Sequence, residues 1–570
     1  MSKEQAELRR WLEEVTDPEL SAELLSIRNE EKEVHERFYR SLEFGTGGLR
    51  GELGAGTNRM NIYTVRQATQ GFAAYLLTQN KTPSAAISYD SRHKSDVFAR
   101  ETARVLAANG VRVYLYPRLM PTPALSFAVL DRRCEGGVMV TASHNPARYN
   151  GYKAYAADGA QISGEVAAAV SAEIEKTDIF DGVKLADFDE ALAAGTIQYI
   201  DDALIERYYA AVMAQALRPE IGKAAGLRLV YTPLNGAGLV PVMTVLKRMG
   251  HTDITVVPEQ EKPDGDFPTC PYPNPEILEA MQPGLNLCEK LGADLLLATD
   301  PDSDRVGTAV LQNGTPRLIS GNEMGALLLD YICRTRQELH TMPEHPVAVR
   351  SIVSTTMTDV IAAHYGVEMR QVLTGFKYIG EQIAHLEAEG HPERFLFGFE
   401  ESYGYLSGGY VRDKDAVVAS MLICEMAAWY KGRGKNLGEA LDDLYAQYGY
   451  YFNKVDSYTF PGSDGMEKMA ALMETLRTEL PIAIGGRAVT GHTDYESGIR
   501  YEDGEGKTHT GLPSSNVMEF RLGQEGSLVA RPSGTEPKLK FYYSLRAADR
   551  AAAETAYGEI KASVEDWLGL

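Results

Sequence analysis

Three aspartates at alternate positions, Asp300, Asp302 and Asp304, form the most distinctive chemical pattern in the chain. Carboxylates at this spacing can converge on one hard cation such as Mg²⁺ or Ca²⁺. An EF-hand is excluded, because Arg305 stands in place of its glycine and Leu311 in place of its bidentate glutamate. The alternative is a solvated acidic turn, but the segment directly before the aspartates is apolar. That context favours a metal site.

A serine loop is the second pattern, with the sequence Thr141-Ala142-Ser143-His144-Asn145-Pro146. Ser143 follows an apolar segment, so backbone donors could position it, and His144 adds polar or positive character. The G-x-S-x-G elbow of acyl-transfer enzymes is absent, and no partner base or oxyanion pattern indicates a serine hydrolase. Taken alone, such a loop is more typical of a turn than of a catalytic site.

Two further loops have the chemistry to bind a phosphate and a polyol. Arg531, Ser533, Gly534 and Thr535 lie in Arg-Pro-Ser-Gly-Thr-Glu-Pro-Lys, where an arginine fork and backbone donors around a glycine can cradle a phosphate. This is neither a Walker loop nor a dinucleotide fingerprint, and a polar turn is its alternative. Gly398-Phe399-Glu400-Glu401-Ser402-Tyr403-Gly404 offers carboxylates and a hydroxyl to a sugar, although adjacent glutamates alone favour a solvated turn.

The four loops together indicate more than each does alone. A serine, a metal-binding triad, a polyol-binding loop and a phosphate cradle are the groups that phosphoryl transfer on a sugar requires. Catalysis of that kind depends on positioning and on neutralisation of charge.

Strand-like segments directly precede most of these polar loops. They are predicted at 85–89, 137–140, 227–231, 294–298 and 394–397, with helices at 67–79 and 416–431 among them. Buried strands that alternate with helices predict α/β units, whose ligands bind beyond the carboxyl ends of the strands. Because the pattern recurs in three stretches, we expect three similar α/β domains.

The two ends of the chain differ from this pattern. Residues 3–43 are predicted to be helical. In the last part, strands at 517–521 and 527–531 form a hairpin, a strand follows at 540–545, and a helix covers 547–567. We expect a small α+β domain there, a linker within 440–465, and mostly loop at 483–512. The predicted domains are 1–200, 201–318, 319–450 and 451–570.

Composition excludes several classes of protein. The chain has 570 residues and a formal charge of −22, so it is a poor candidate for binding nucleic acid, which requires clustered positive charge. The five cysteines form no C-x-x-C pair, which predicts a reducing compartment without disulfides or zinc. The polar first ten residues predict no secretory signal, and no apolar run reaches the ~18 residues of a membrane span. We expect a cytoplasmic protein.

With these motifs in this order, the sequence resembles the α-D-phosphohexomutase family over essentially its whole length. Phe44-Gly45-Thr46-Gly47-Gly48-Leu49-Arg50-Gly51 adds a fifth matching motif. The resemblance is closest to the bacterial phosphoglucomutases near the animal phosphoglucomutase-2 and phosphopentomutase branch. It implies three α/β domains with mixed sheets and a smaller C-terminal α+β domain around a central cleft. It also implies sugar phosphates as partners and a monomer or homodimer.

The resemblance also implies a role for each matching residue. Ser143 would carry the phosphoryl group, and Asp300, Asp302 and Asp304 would hold Mg²⁺ together with an oxygen of the phosphate on Ser143. Glu400 and Ser402 would bind sugar hydroxyls. The other implied site residues are Arg50 near the reacting phosphate, His144, Lys153 and Lys414 as candidates for proton transfer, Arg305 at the end of the metal loop, Gly375, Phe376 and Lys377 in sugar orientation, and Arg531, Ser533, Gly534 and Thr535 at the non-reacting phosphate.

The implied reaction interconverts α-D-glucose 1-phosphate and glucose 6-phosphate, with glucose 1,6-bisphosphate as intermediate and activator. Many relatives have glycine or alanine between the metal aspartates, whereas this chain has Pro301 and Ser303, and no carboxylate is lost. The Glu400 loop lacks the histidine of the phosphomannomutase branch, which disfavours mannose. A phosphopentomutase, an enzyme whose main product is the bisphosphate, and a non-catalytic sugar-phosphate-binding homologue stay open as alternatives.

Overall fold

The computed structural model describes residues 2–460, 464–533 and 537–570. The chain forms two compact units. The first comprises the described residues up to Ile319 together with Ile379–Phe395 and Tyr403–Asn436, and the second comprises Ser320–Tyr378, Leu396–Ser402 and the described residues from Leu437 onwards. Each unit is described separately.

Helices and strands alternate through most of the chain. The α-helices are α1 Lys3–Glu14, α2 Pro18–Ile27, α3 Glu31–Phe38, α4 Ile62–Gln79, α5 Ser95–Ala108, α6 Thr122–Arg132, α7 Gly164–Glu175, α8 Phe188–Ala193, α9 Asp202–Met213, α10 Ile221–Ala225, α11 Leu239–Arg248, α12 Leu278–Leu291, α13 Gly321–Glu338, α14 Met357–Tyr365, α15 Phe376–Ala388, α16 Ala416–Lys431, α17 Leu437–Tyr448, α18 Gly465–Thr478 and α19 Arg550–Leu568.

The strands are β1 Leu49–Glu52, β2 Ser84–Tyr89, β3 Arg112–Leu115, β4 Gly136–Val140, β5 Tyr149–Ala156, β6 Ile197–Tyr199, β7 Leu229–Thr232, β8 Ile254–Val256, β9 Leu295–Thr299, β10 Val306–Gln312, β11 Thr315–Ile319, β12 Val347–Ser351, β13 Glu368–Val372, β14 Phe395–Glu400, β15 Gly404–Leu406, β16 Tyr450–Thr459, β17 Ala483–Ile484, β18 Arg487–Ala488, β19 Gly491–Asp494, β20 Ile499–Glu502, β21 Gly506–His509, β22 Met518–Arg521, β23 Gly526–Pro532 and β24 Lys538–Ala547.

Two mixed sheets form the core of the first unit. One has the strand order β1-β5-β4-β2-β3-β6, and the other has the order β11-β10-β9-β7-β8. In the first sheet β2 runs parallel to β3 and β4, and in the second β7 runs parallel to β8 and β9. Strands β4 and β9 are buried along their whole length, which fits sheets covered on both faces.

The serine loop and the aspartate loop each continue from one of these buried strands. Ser143 follows β4, which pairs antiparallel with β5. The aspartates occupy the hairpin between β9 and β10, where Thr299 pairs with Val306. Gly236, in the loop after β7, lies against Pro301 so closely that a Cβ atom would overlap that backbone. The loop after β7 can therefore pack directly against the hairpin only because residue 236 is a glycine.

In the second unit, β13, β12 and β14 are neighbouring strands, with β12 and β13 parallel. A seven-stranded sheet of order β16-β24-β23-β22-β19-β20-β21 follows, and α18 and α19 contribute to its core. A smaller apolar cluster joins the two parts, because Ile352 and Leu373 pack with Val529 and Tyr542. The unit is thus continuous across the third and fourth domains.

These elements confirm the predicted fold class, with three similar α/β domains and a different C-terminal domain. The predicted strands are present with shifts of one to three residues at their ends, and the hairpin pairs Met518 with Ala530. The predicted helix at 416–431 is α16 without any shift. The N-terminal helical region divides into α1, α2 and α3.

Two predictions for the last part of the chain were wrong. Residues 440–460 are not a linker: α17 extends to Tyr448, Gly449 turns the chain with φ of 98°, and β16 begins at Tyr450. Residues 483–512 are not mostly loop but contain β17 to β21. Those strands are two to four residues long and rich in polar side chains, so they lack the apolar alternation by which strands are recognised.

All five cysteines are buried thiols. Among the described residues, no helix is both long enough and apolar enough to cross a membrane.

The N-terminal helices pack against the first domain in an apolar cluster that includes one buried indole. Trp11 is fully buried, with ring centroids 5.7 Å from Phe38, 5.8 Å from Tyr63 and 5.5 Å from Phe180, all edge-on. Edge-to-face packing adds to the gain from burying a large apolar area. The Trp11 ring therefore links α1 to α3 and to two aromatic residues outside the N-terminal helices.

We expect Trp11→Ala to destabilise the docking of this segment by about 3–5 kcal/mol, because it leaves a large cavity. Limited trypsin digestion, which reports local opening, should cleave the variant much faster between α1 and α3. The control is Leu12→Ala, since Leu12 is 37% exposed on the same helix. Equal digestion rates for the two variants would contradict the assignment.

Candidate active site

The three aspartates form one buried cluster in the first unit. Asp300, Asp302 and Asp304 are at most 2% exposed, and one carboxylate oxygen of each lies within 4.8 Å of the others. Asp300 Oδ1 accepts hydrogen bonds from the backbone N–H groups of Asp304 (3.1 Å) and Arg305 (3.0 Å). The backbone of the loop therefore folds around the Asp300 carboxylate, and the carboxylates of Asp302 and Asp304 lie close to it.

Part of this carboxylate surface is free of hydrogen bonds. Within the described residues, Asp302 Oδ1 and Asp304 Oδ1 are buried without a hydrogen-bond partner. Buried polar atoms are normally hydrogen-bonded, so two buried carboxylate oxygens without a hydrogen bond, beside a third carboxylate, are suited to bind a cation. Oxygen-only donors are those that Mg²⁺ prefers. The residues present thus fit the metal that the sequence predicts.

Two lysines balance the charge of the cluster. Lys153 Nζ lies 2.7 Å from Asp302 Oδ2 and 3.6 Å from Asp304 Oδ2. Lys414 Nζ lies 3.1 Å from Asp304 Oδ2 and 3.1 Å from Asp413 Oδ1. Both lysines are buried. Two of the three residues proposed from the sequence for proton transfer are therefore brought to the aspartates from positions far away in the chain.

The ionisation of the cluster follows from burial and from these contacts. Burial and the charges of the other two aspartates raise the pKa of Asp300 well above its usual range. Burial opposes ionisation of Asp302 as well, but attraction and a hydrogen bond from Lys153 lower its pKa below the usual range. For Lys153, burial favours the neutral amine, yet the facing carboxylates raise its pKa overall. Lys153 is therefore a cation at neutral pH.

Ser143 is in contact with the first aspartate. Its Oγ donates to Asp300 Oδ2 at 3.0 Å and lies 3.1 Å from His144 Nδ1. Its backbone N–H donates to Thr141 Oγ1 at 2.8 Å, and its φ of 51° is in the left-handed region. A non-glycine residue in that region is strained and is held there by its surroundings. The serine that the sequence predicted and the aspartate loop thus meet across 157 residues of chain.

His144 and two arginines form the positive side of this site. Burial and the neighbouring cations Arg305 and Arg50 lower the pKa of His144 well below its usual range, so its imidazole is neutral. Arg50 is exposed on β1, opposite Gly151 of β5. Arg305 turns partly outward, with Nη1 2.9 Å from Glu276 Oε1. An anion bound to Ser143 would enter this positive field.

The sugar-loop residues lie in the second unit. Gly375 N–H donates to Glu400 Oε1 at 2.6 Å, and the φ of Gly375 is 127°, which a side chain would oppose. Phe376 is buried at the start of α15, whereas Lys377 places its ammonium 4.9 Å from the Tyr378 ring. Ser402 is half-buried two residues beyond Glu400. The two predicted sugar loops are therefore joined directly.

The phosphate loop lies in the same unit. Arg531 is half-buried on β23, and Ser533 N–H donates to Lys538 O at 2.8 Å. Gly534 and Thr535 lie outside the described residues. Burial and the charge of Glu401 raise the pKa of Tyr542, while Arg531, which hydrogen-bonds it, acts in the opposite direction. Tyr542 thus stands between the arginine of the phosphate loop and the glutamates of the sugar loop.

Some polar residues of the site were not identified from the sequence as site residues. Thr122 Oγ1 donates to Asp302 Oδ2 at 2.8 Å, and Thr141 Oγ1 donates to Asp90 Oδ2 at 2.6 Å. Arg92 lies behind the serine loop and donates to its carbonyl oxygens. A signal for Asp90 and Arg92 did exist, since they follow a strand-like segment as the other site loops do. Thr122 begins a helix and carried no such signal.

Comparison with known proteins adds evidence from the whole chain. Models of the phosphoglucomutase/phosphomannomutase α/β/α domains I, II and III match residues 41–179, 206–314 and 320–448, and the C-terminal domain model matches residues 497–557. The chain belongs to the phosphoglucomutase/phosphomannomutase family. The family inferred from the sequence is therefore confirmed, and each of the four matched domains contains at least one predicted loop.

Relatives of this family support the same assignment over nearly full length. The chain is 37% identical to a phosphoglucomutase of Staphylococcus haemolyticus over 511 residues, covering 89% of this chain and 91% of that one. It is 36% identical to a phosphoglucomutase of Staphylococcus epidermidis over 537 residues, covering 94% and 96%.

Solved structures of the family share the fold at lower identity. Parafusin, a phosphoglucomutase from Paramecium in its open form, superimposes with a TM-score of 0.70 at 16% identity, covering 93% of this chain and 97% of that one. A phosphoglucomutase/phosphomannomutase family protein from Burkholderia thailandensis gives 0.66 at 18% identity, covering 92% and 97%.

The N-cap residue of α16 is a buried aspartate, Asp415. Asp415 accepts hydrogen bonds from the Val417 and Val418 N–H groups and from the hydroxyls of Tyr208 (3.1 Å) and Tyr410 (2.6 Å). Burial nevertheless raises the pKa of Asp415 from 3.8 to about 6. Its contribution to stability is present below pH 4 and is lost as the pH rises through 6.

We therefore expect Asp415→Asn, which retains the cap, to gain stability over the wild type as the pH rises. The gain should be small at pH 4 and reach about 3 kcal/mol at pH 8, as a pKa difference of this size implies. Urea unfolding at both pH values measures it. Asp201→Asn is the control, because Asp201 caps α9 at an exposed position; a gain independent of pH would refute the argument.

Proposed function

We propose that the protein is a phosphoglucomutase that interconverts α-D-glucose 1-phosphate and glucose 6-phosphate. The observation that carries the proposal is the contact of Ser143 Oγ with Asp300 at 3.0 Å, within a buried aspartate cluster whose charge two lysines partly compensate. This arrangement brings a nucleophile, a set of cation ligands and positive charge to one point. Phosphoryl transfer needs this combination.

In the proposed reaction, Ser143 begins as a phosphoserine. The free hydroxyl of the sugar monophosphate attacks phosphorus, the bond from Ser143 Oγ to phosphorus breaks, and a sugar bisphosphate forms. We propose glucose 1,6-bisphosphate as this species. The bisphosphate then reorients within the site, and Ser143 Oγ attacks its other phosphate. The product leaves with the phosphate that came from Ser143.

Asp300, Asp302 and Asp304 are the residues that would hold Mg²⁺. The ion would supply positive charge to the transferring phosphoryl group. The chain's own cations act in the same direction: Arg50 and Arg305 are close enough to depress the pKa of His144. A phosphate on Ser143 is therefore attracted to this side of the site.

Proton transfer is assigned to three groups. Ser143 Oγ gains a proton when its phosphoryl group leaves and loses it when the group returns, and neutral His144, with Nδ1 at 3.1 Å, is placed to exchange it. Lys153 and Lys414 serve as the candidates on the side of the sugar. Because the pKa of Lys153 is raised, it is a cation and acts as a proton donor rather than as a base.

Sugar recognition is proposed for the second unit. Glu400 and Ser402 would accept and share hydrogen bonds with sugar hydroxyls, and Gly375, Phe376 and Lys377 would orient the ring. Arg531, Ser533, Gly534 and Thr535 would hold the non-reacting phosphate. The relatives named phosphoglucomutase, at 36–37% identity over most of the chain, support glucose as the sugar.

The domain limits are part of the same proposal. Divisions at 1–200, 201–318, 319–450 and 451–570 assign the serine loop, the aspartate loop, the sugar loops and the phosphate loop to one domain each. Each domain would then contribute one function to the reaction.

The first test compares α-glucose 1-phosphate with ribose 1-phosphate as substrates of the purified protein, with Mg²⁺ and a trace of glucose 1,6-bisphosphate. We expect kcat/KM to be at least 10-fold higher for the glucose compound, since the relatives act on it. Ser143→Ala should abolish turnover, while Ser91→Ala, in the loop after β2, is the control. A preference for ribose would make the protein a phosphopentomutase, and no turnover with either sugar would refute the mutase proposal.

The metal assignment is tested by Asp302→Asn. We expect it to raise the Mg²⁺ concentration needed for half-maximal activity at least ~10-fold, because it removes one of three charged ligands. Direct Mn²⁺ binding, followed by electron paramagnetic resonance, should weaken in parallel. Asp413→Asn is the matched control, since Asp413 is equally buried and also contacts Lys414. If Asp302→Asn bound Mn²⁺ like the wild type, the triad would not be the metal site.

A further inference from the structure

Arg92 occupies the space behind the serine loop. Its side chain is fully buried in the loop that follows β2. Nε donates to Ser143 O at 3.2 Å, Nη1 donates to Pro146 O at 3.0 Å and to Tyr149 O at 3.1 Å, and Nη2 donates to Ser143 O and Asn145 O. One guanidinium therefore holds four backbone carbonyl groups of a single loop.

This contact determines the orientation of the peptide groups of the loop. The described peptide bonds are all trans, and in a trans peptide the C=O and the next N–H point in opposite directions. Since Ser143 O points at Arg92, the N–H of His144 points away from it. Among the described residues, no acceptor meets that N–H. A donor is therefore left available next to the nucleophile.

Arg92 is itself held from two sides. The Asp90 carboxylate accepts from the Arg92 backbone N–H at 3.0 Å and lies 3.6 Å from its Nε. The guanidinium carbon lies 5.0 Å from the centroid of the Phe267 ring. Phe267 belongs to the region matched by the second domain model, so the support for the serine loop comes from two domains.

We propose that Arg92 is a positioning residue for phosphoryl transfer, which fixes the peptide between Ser143 and His144 so that the His144 N–H donates to the phosphate on Ser143. The proposal rests on the proposed function of Ser143. It also accounts for the strained φ of Ser143 at 51°, because four carbonyl contacts can hold a residue that would otherwise relax to an extended conformation.

The test is Arg92→Lys, which keeps the positive charge but not the planar fork of donors. We expect kcat to fall about 100-fold, the usual cost of losing one preorganised donor, while KM for glucose 1-phosphate changes less than threefold. Arg104→Lys is the matched control, since Arg104 donates to Ala186 O at 2.9 Å elsewhere in the same domain. An Arg92→Lys kcat within threefold of the Arg104→Lys value would overturn the proposal.

A second measurement does not depend on turnover. In the metal-free phosphoprotein, ³¹P NMR gives the pKa of the phosphoserine, which a donor from His144 lowers relative to the same site without that donor. Arg92→Lys should therefore raise this pKa above the wild-type value although the net charge is unchanged. An identical titration in wild type and variant would overturn the proposal.

Phe267→Leu covers the case in which Arg92→Lys does not fold. It removes the ring over the guanidinium but leaves every donor in place, so we expect a fall in kcat of about threefold to tenfold with KM unchanged. Hydrogen exchange of peptide 141–149 should become faster, also in the unphosphorylated protein. Unchanged exchange and kcat would refute the role of Arg92. If the wild type itself lacked mutase turnover, the proposed function would fail, and the exchange of this peptide would still test Arg92.

Discussion

The first unit depends on one electrostatic constraint: three carboxylates buried within 4.8 Å of one another. Such a cluster cannot be fully ionised without cations, because burial and mutual repulsion both favour the neutral form. Lys153 and Lys414 supply two of these cations from segments that fold around the hairpin between β9 and β10. The same constraint explains the fit to a divalent metal, which would complete the compensation at the two oxygens that have no hydrogen bond.

This constraint also explains why the site draws on several domains. A single loop of six residues contains the three aspartates and only one cation, Arg305, which is shared between Asp304 (3.7 Å) and Glu276 (2.9 Å). The compensating groups come from β5 and from the loop before α16, and Thr122 at the start of α6 adds a hydrogen bond. The geometry of the aspartate cluster therefore depends on how these elements pack. A shift of any one of them would leave a buried charge uncompensated.

The second unit has a different arrangement of charges, in which neutral donors hold the carboxylates. In the proposed function, its glutamates must be available to sugar hydroxyls and yet stay close to Arg531, the arginine proposed to hold a phosphate. Gly375 N–H holds Glu400, and the hydroxyls of Ser351 (3.0 Å) and Ser354 (3.3 Å) hold Glu401. Neutral donors fix the carboxylates without cancelling their charge. The cluster of Ile352, Leu373, Val529 and Tyr542 joins the sugar loops to the phosphate-binding sheet through apolar contact.

The sequence by itself determined the chemistry and most of the fold. The spacing of the aspartates, the serine loop after an apolar strand, and the order of the loops identified the family, because these features are local and need no knowledge of neighbours in space. Tertiary structure alone decided which side chains compensate the buried charge. Thr122 and Asp302 are 180 residues apart, and Arg92 acts on a loop more than fifty residues later. The short polar strands β19 to β21 form because β19 pairs with β22 and the next two strands continue that sheet, and β22 is a partner that no local pattern reveals.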